Sequence, residues 1–264
     1  MSKVYEAMLR AKNGKKDVIP WEVKGETGIS ARMKDILAPR RTELPKNNRS
    51  NGRRSGLDLN MLCHEEEIKL IRRLFVLPGS EAPRSVVFSG AGHGCGCSWV
   101  CTRATETLTT QLTGSVCLVD ANLRSPSLHR YFGVDNHKGL TDAVGETSSV
   151  RDFAHPLLGA NYWFIAAGSY VSDPHSVLTS DALRSRIREL QAAFDYVLFD
   201  APPVSLYPDA VLLGRLTGGV ILVVEANTTQ RGTARICKDR LENAKVRLLG
   251  AVWSKCAPPI QESL

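Results

Sequence analysis

The residues with the clearest chemical potential lie in FSGAGHGCGCSWV, residues 88–100. Gly92, Gly94 and Gly96 alternate through this stretch, with Ser98 two positions on, directly after an apolar run. Closely spaced glycines let a backbone curl with its N–H groups turned inward, a nest suited to anionic oxygens such as those of phosphate. The following SWVCTRATETLTTQL reads as a helix, whose N-terminal dipole would point at the same place. Ser98 stands where a hydroxyl can ligate Mg²⁺. A glycine-rich turn alone, however, is equally compatible with a strand-to-helix connection that binds nothing.

Where such a loop carries lysine, this chain has Cys97. That ammonium would neutralise the β- and γ-phosphates and the charge of a transferring phosphoryl group. By analogy with deleting one oxyanion donor, its loss removes on the order of 2–4 kcal/mol of transition-state stabilisation, roughly 10²–10³ in rate. No lysine lies between Lys69 and Lys138, so Arg103 and Arg124 are the substitutes to consider. Backbone donors can still bind phosphate; transfer suffers more. Cys95, Cys97 and Cys101, spaced C-x-C-x₃-C, also admit a soft-metal reading. A tight glycine turn rarely lets thiolates converge, and His93 is the only local histidine to complete such a set. Small residues filling a crowded turn explain the cysteines more simply.

Two carboxylates extend the chemistry. VCLVDANLRSPSLHRYFG ends an apolar run at Asp120, and FDYVLFDAPPVSLYPDA ends another at Asp200. An aspartate at a strand tip beside a phosphate loop orients Mg²⁺ directly or through water. A single one is as easily a turn cap. Two of them with a glycine nest are a constellation.

The elements that must position these groups are legible as alternation. SVVFSG, SVCLVDA, YWFIAAG, YVLFDA, GVILVVEA and VRLLGAVWS are short, continuous apolar runs of strand character. HEEEIKLIRRLF reads as a helix before them. SDALRSRIRELQAAF sets Leu183, Ile187, Leu190 and Phe194 on one helical face, and TTQRGTARICKDRLENAK is a looser helix. Both-face-buried strands alternating with helices predict an α/β fold: three layers around a mostly parallel sheet. In such a sheet ligands gather at the carboxyl ends of strands, here Gly90–Ser98, Asp120–Arg124, Asp200–Pro203 and Glu225–Thr229.

Charge separates an arm from this body. Residues 1–60 hold 14 Lys+Arg against 7 Asp+Glu, whereas residues 61–264 hold 20 of each. The reading is a short N-terminal helix over residues 2–12, a basic flexible linker to 60, a phosphate-loop domain over 61–258 and a short tail over 259–264. A basic arm can touch an anionic membrane surface or nucleic acid, but a solvated linker is the commoner use of such a stretch. Seven unevenly spaced cysteines, no apolar run near 18 residues and a charged start lacking a signal-peptide core predict a cytoplasmic protein.

These residues together resemble the cytoplasmic ATPase domain of the bacterial tyrosine kinases (BY-kinases), within the wider MinD/ParA-like P-loop NTPase group. GHGCGCSW is similar to their Walker A, DANLRSPSLHRYFG to Walker A′ and YVLFDAPP to Walker B. The resemblance covers roughly residues 61–256. It implies ATP or ADP with Mg²⁺ as cofactors and nucleotide contacts from Gly92, Gly94, Cys95, Gly96, Cys97, Ser98 and Trp99. It further implies metal ligation by Ser98, Asp120 and Asp200, with Asp120 near the attacking hydroxyl. Glu66, Lys69 and Arg72 resemble the E-x-x-R-x-x-R helix that packs protomers into a ring, which implies a homo-oligomer. The implied setting is capsule and exopolysaccharide assembly at the inner face of the cell membrane. There the partner is a membrane-embedded chain-length regulator or co-polymerase, and nucleic acid is not expected.

Departures from the family pattern shift the functional expectation. Cys97 replaces the lysine, and Asn122 replaces the second acid of D-x-D and cannot act as a base. Ser254 stands where an asparagine usually helps recognise adenine. PPIQESL holds no tyrosine cluster; Tyr5, Tyr131, Tyr162, Tyr170, Tyr196 and Tyr207 are scattered. The expectation is a regulatory member with lost or very weak kinase activity. The alternatives are an active autokinase with a rearranged loop and a MinD/ParA-like positioning ATPase.

Overall fold

The structure is a computed structural model that describes residues 59–157, 159 and 161–255. The expectations for the N-terminal helix, the basic linker and the tail fall on residues 1–58 and 256–264, outside the described residues.

Helix α1 (Leu59–Ile71) runs into a π-helical turn over Arg72–Val76, so the helix read over HEEEIKLIRRLF changes its hydrogen-bond register after Ile71. Leu74 and Phe75 are buried there. A short 3₁₀ turn then leads to β1 (Ser85–Gly90), whose six residues are all buried, as a strand covered on both faces must be. Helix α2 (Cys97–Gln111) follows directly, then β2 (Val116–Asp120). Two short helices, α3 (Leu128–Phe132) and α4 (Leu140–Gly145), lead to an edge pair, β3 (His155–Pro156) and β4 (Tyr162–Ile165). After α5 (Pro174–Thr179) and α6 (Asp181–Ala193) come β5 (Tyr196–Ala201) and α7 (Asp209–Gly214). The chain closes through β6 (Val220–Glu225), α8 (Arg231–Asn243) and β7 (Leu248–Ser254).

The seven strands lie in the order β3-β4-β2-β5-β1-β6-β7. All pairings are parallel except β3 with β4, an antiparallel edge absent from the sequence reading. Helix α2 packs on β1, β2 and β5, whereas α7 and α8 pack on β1, β6 and β7. Helix α6 shows why its sequence folds as it does. Ser180 Oγ accepts the Leu183 N–H at 3.1 Å as an N-cap, and Leu183, Ile187 and Leu190 form the buried stripe. Phe194 ends the stripe just past the helix and is also buried.

Strand order places β5 between β2 and β1, so the strand ends carrying Asp120, Asp200 and the glycine loop are immediate neighbours. An apolar cluster that includes Val87, Val119, Phe199, Leu222 and Ile187 sits beneath them on one sheet face. Among the described residues no helix is long and apolar enough to cross a membrane.

Candidate nucleotide site

The loop is built as its glycines require. Gly94 and Gly96 have φ of +71° and +80°, a region costly for residues with a Cβ. At Gly90 the restriction is closeness: an added Cβ would fall 2.4 Å from the Cys95 sulfur and 3.0 Å from the Gly92 carbonyl. Gly96 is the left-handed N-cap of α2 and offers no side-chain cap, so the first N–H groups of α2 are left for another acceptor.

On the acidic side, Asp120 and Asp200 are paired in register across β2 and β5, and both are buried. Asp120 is well supported: its Oδ1 accepts the Asn122 N–H at 3.2 Å and its Oδ2 the Ser127 and Leu128 N–H groups at 3.1 Å each. Asp200 is not. Neither of its oxygens is in a well-formed hydrogen bond among the described residues, although the Ser98 hydroxyl and Cys97 thiol lie beside it. Burial pushes both carboxyls up, Asp120 to about 6 and Asp200 to about 7, and the Asp120 charge adds to the effect on Asp200. Backbone N–H groups resist the rise at Asp120; Ser98 and Cys97 resist it at Asp200. Two adjacent buried carboxylates, one without a well-formed hydrogen bond, beside a serine hydroxyl form a set of hard oxygen donors that suits Mg²⁺. Residues Ser98, Asp120 and Asp200 fit that ion.

Cys97 opens α2 with its thiol near Asp200, where burial first and then the Asp200 charge push it well above its ordinary range. Burial likewise raises Cys95 and Cys101. These are protonated thiols. Among the described residues no three His, Cys, Asp or Glu side chains converge as a metal set, so C-x-C-x₃-C gains no support as a soft-metal site.

The arginines considered as lysine substitutes are engaged elsewhere. Arg124 holds the buried Asp209 with two bonds of 2.9 Å and lies 4.2 Å over the Tyr207 ring. Arg103 is tied to Glu67 at 2.8 Å and to Glu106 at 2.6 Å. A cation does reach the loop, and sequence reasoning missed it. Lys255, just past β7, donates its Nζ to the Gly94 carbonyl at 2.6 Å and to Glu225 Oε1 at 2.8 Å. Ser254 donates its hydroxyl to the Cys95 carbonyl. The available signal was Lys255's place immediately after a strand end.

The remaining sequence candidates are placed as follows. Asn122 structures its own turn, its Oδ1 accepting the Ser125 N–H at 3.2 Å. His93 is exposed and Gly92 has open space around it, so that side of the loop faces solvent. Trp99 is half-buried in the first turn of α2. Glu66 and Lys69 form an exposed ion pair of 2.7 Å, and Arg72 is exposed one turn on.

A glycine loop between β1 and α2, flanked by acidic tips on neighbouring parallel strands, defines a P-loop NTPase fold. The same fold is seen in MinD from Pyrococcus horikoshii, solved with Mg-ADP (21% identity, TM-score 0.53, 64% of this chain and 69% of that one). The chain is similar in sequence to several bacterial tyrosine-protein kinases. It is 32% identical over 139 residues to tyrosine-protein kinase YwqD of Bacillus subtilis, covering 53% of this chain and 59% of YwqD. Longer tyrosine-protein kinases also match, and the chain spans 23% of their length. The solved BceF tyrosine kinase domain is 28% identical with a TM-score of 0.64, over 73% of this chain and 77% of that one. No protein-family model matches the chain.

Proposed function

We propose that this chain is a nucleotide-binding, BY-kinase-like regulator of capsule or exopolysaccharide assembly with little phosphoryl-transfer activity of its own. The observation that carries the reading is Cys97: a neutral thiol stands at the head of α2, beside Asp200, where catalysis calls for an ammonium. Loop amides and the α2 N-terminus would hold the phosphates of ATP or ADP. Ser98, Asp120 and Asp200 would hold Mg²⁺, which neutralises phosphate charge when bound. Asp120, whose carboxyl burial pushes up to about 6, would be the group to take a proton from a hydroxyl. The partner would be a membrane-embedded chain-length regulator or co-polymerase at the inner membrane face, and the exposed Glu66, Lys69 and Arg72 face would pack protomers together.

Calorimetric titration with Mg·ADP and Mg·ATP tests the reading. Binding that weakens when Mg²⁺ is withdrawn supports it, and absence of binding overturns it.

A second reading, an active tyrosine kinase, is favoured by one observation: Lys255 already contacts Gly94. Phosphotyrosine formed from labelled ATP and lost in both Asp120→Ala and Lys255→Met would select that reading.

A further inference from the structure

Every peptide bond of the loop is trans, so the C=O and N–H of one peptide point in opposite directions. The Gly94 carbonyl is turned toward Lys255 Nζ, so the Cys95 N–H of the same peptide is turned away from β7. Likewise the Cys95 carbonyl is turned toward Ser254 Oγ, which turns the Gly96 N–H away from β7. Two consecutive N–H groups are therefore aimed to the side of the loop opposite the Ser254–Lys255 contacts. Gly94 and Gly96 adopt the left-handed conformation this arrangement needs.

The lysine itself is held in place. Its own φ is +55°, unfavourable for a residue with a Cβ and maintained only where surrounding contacts determine it. Glu225, at the end of β6, fixes the ammonium at 2.8 Å, and β7 pairs in register with β6 through Glu225 and Ser254. The Lys255 side chain also runs alongside Gly96, its Cε 3.9 Å from where a Cβ there would lie. The contact spans 161 residues of sequence and ties the loop to the sheet edge.

We propose that Lys255, assisted by Ser254, is a positioning residue of the phosphate loop: from the end of β7 it pulls the Gly94 and Cys95 carbonyls outward and presents the Cys95 and Gly96 N–H groups to an anion. It supplies order rather than charge. Its ammonium lies on the carbonyl side and is paired with Glu225, so in this arrangement it does not stand in for the ammonium absent at Cys97. A separate sign that a ligand belongs at this loop is Asp200 beside Ser98, 1% exposed and with neither oxygen in a well-formed hydrogen bond among the described residues. The ligand arm of this inference rests on the nucleotide reading above; the loop arm does not.

The test uses the full chain and the variants Lys255→Met, Lys255→Arg and Glu225→Gln, with thermal melts as a control for folding. Hydrogen exchange of the peptide covering residues 90–100 is measured without nucleotide, and Mg·ADP affinity is measured by calorimetry. Removing a charge-assisted bond should loosen the loop, speed exchange of the hydrogen-bonded amides within 90–100, such as Ala91 and Val100, roughly tenfold in Lys255→Met, and weaken Mg·ADP by a similar factor. Lys255→Arg should recover most of both, and Glu225→Gln should lie between. Unchanged exchange in Lys255→Met overturns the inference. So does faster exchange with unaltered affinity in a wild type that binds Mg·ADP. Faster exchange in a chain that binds no Mg·ADP leaves the loop arm standing and defeats the nucleotide reading alone.

Discussion

Cys97 and Asp200 lie side by side at the foot of the loop, an un-ionised thiol against a buried carboxylate whose oxygens make no well-formed hydrogen bond among the described residues. The pair concentrates what is missing. An ammonium at position 97 would serve any phosphate held by the loop and ease the Asp200 charge, whereas a thiol is a weak donor with no charge to give.

Cys97→Lys should therefore raise ATP turnover by about 10²-fold, the gain expected on restoring one charge-stabilising group. Phosphate release from Mg·ATP measures it. No increase in a folded variant would mean that another missing group, such as the acid replaced by Asn122, limits the reaction.

The raised carboxyls make the ligand-free protein sensitive to pH. Asp120 and Asp200 titrate higher in the folded chain than their ordinary value of 3.8, so the folded state binds more protons than the unfolded state. Their penalty is absent below the unfolded value and grows as pH rises through about 6 and about 7. Thermal melts should show stability falling between pH 5 and pH 8 by on the order of 1–3 kcal/mol. Asp200→Asn should flatten that slope, and millimolar Mg²⁺ should recover part of the loss at pH 8. A slope unchanged in Asp200→Asn would contradict the assignment.

Arg124 is a structural residue rather than a phosphate ligand. Removing it leaves the fully buried Asp209 uncompensated, and Arg124→Ala should cost about 3 kcal/mol in urea unfolding. Mg·ADP affinity in the folded fraction should stay within about twofold of wild type, since the contacts Arg124 makes among the described residues are with Asp209 and Tyr207. A tenfold loss of affinity with stability intact would reverse the assignment.

Much of this architecture was legible in the chain because its central strands are buried on both faces and write themselves as unbroken apolar runs. Val86 to Phe88, Val116 to Val119, Val197 to Phe199 and Val220 to Val224 show this directly. The loop and both acidic tips were legible because glycine spacing and strand-end carboxylates are local signals. What escaped was non-local or too short to carry a period. Strand β3 is two residues, His155 and Pro156, and the turn at Arg72–Val76 differs from α-helix in hydrogen-bond register rather than apolar pattern. Arg124 meets Asp209 across 85 residues, and Lys255 meets Gly94 across 161; no spacing rule joins such pairs. Only strand order does so, by bringing the ends of β7, β6 and β1 together.

The most direct measurement of the central claim is single-turnover transfer of γ-labelled phosphate, with purified wild-type chain in excess over Mg·ATP and binding checked in the same sample. A bound nucleotide with phosphotyrosine no higher than in Asp120→Ala is the predicted result. Rapid, Asp120-dependent phosphotyrosine formation by the unaltered chain would contradict the account.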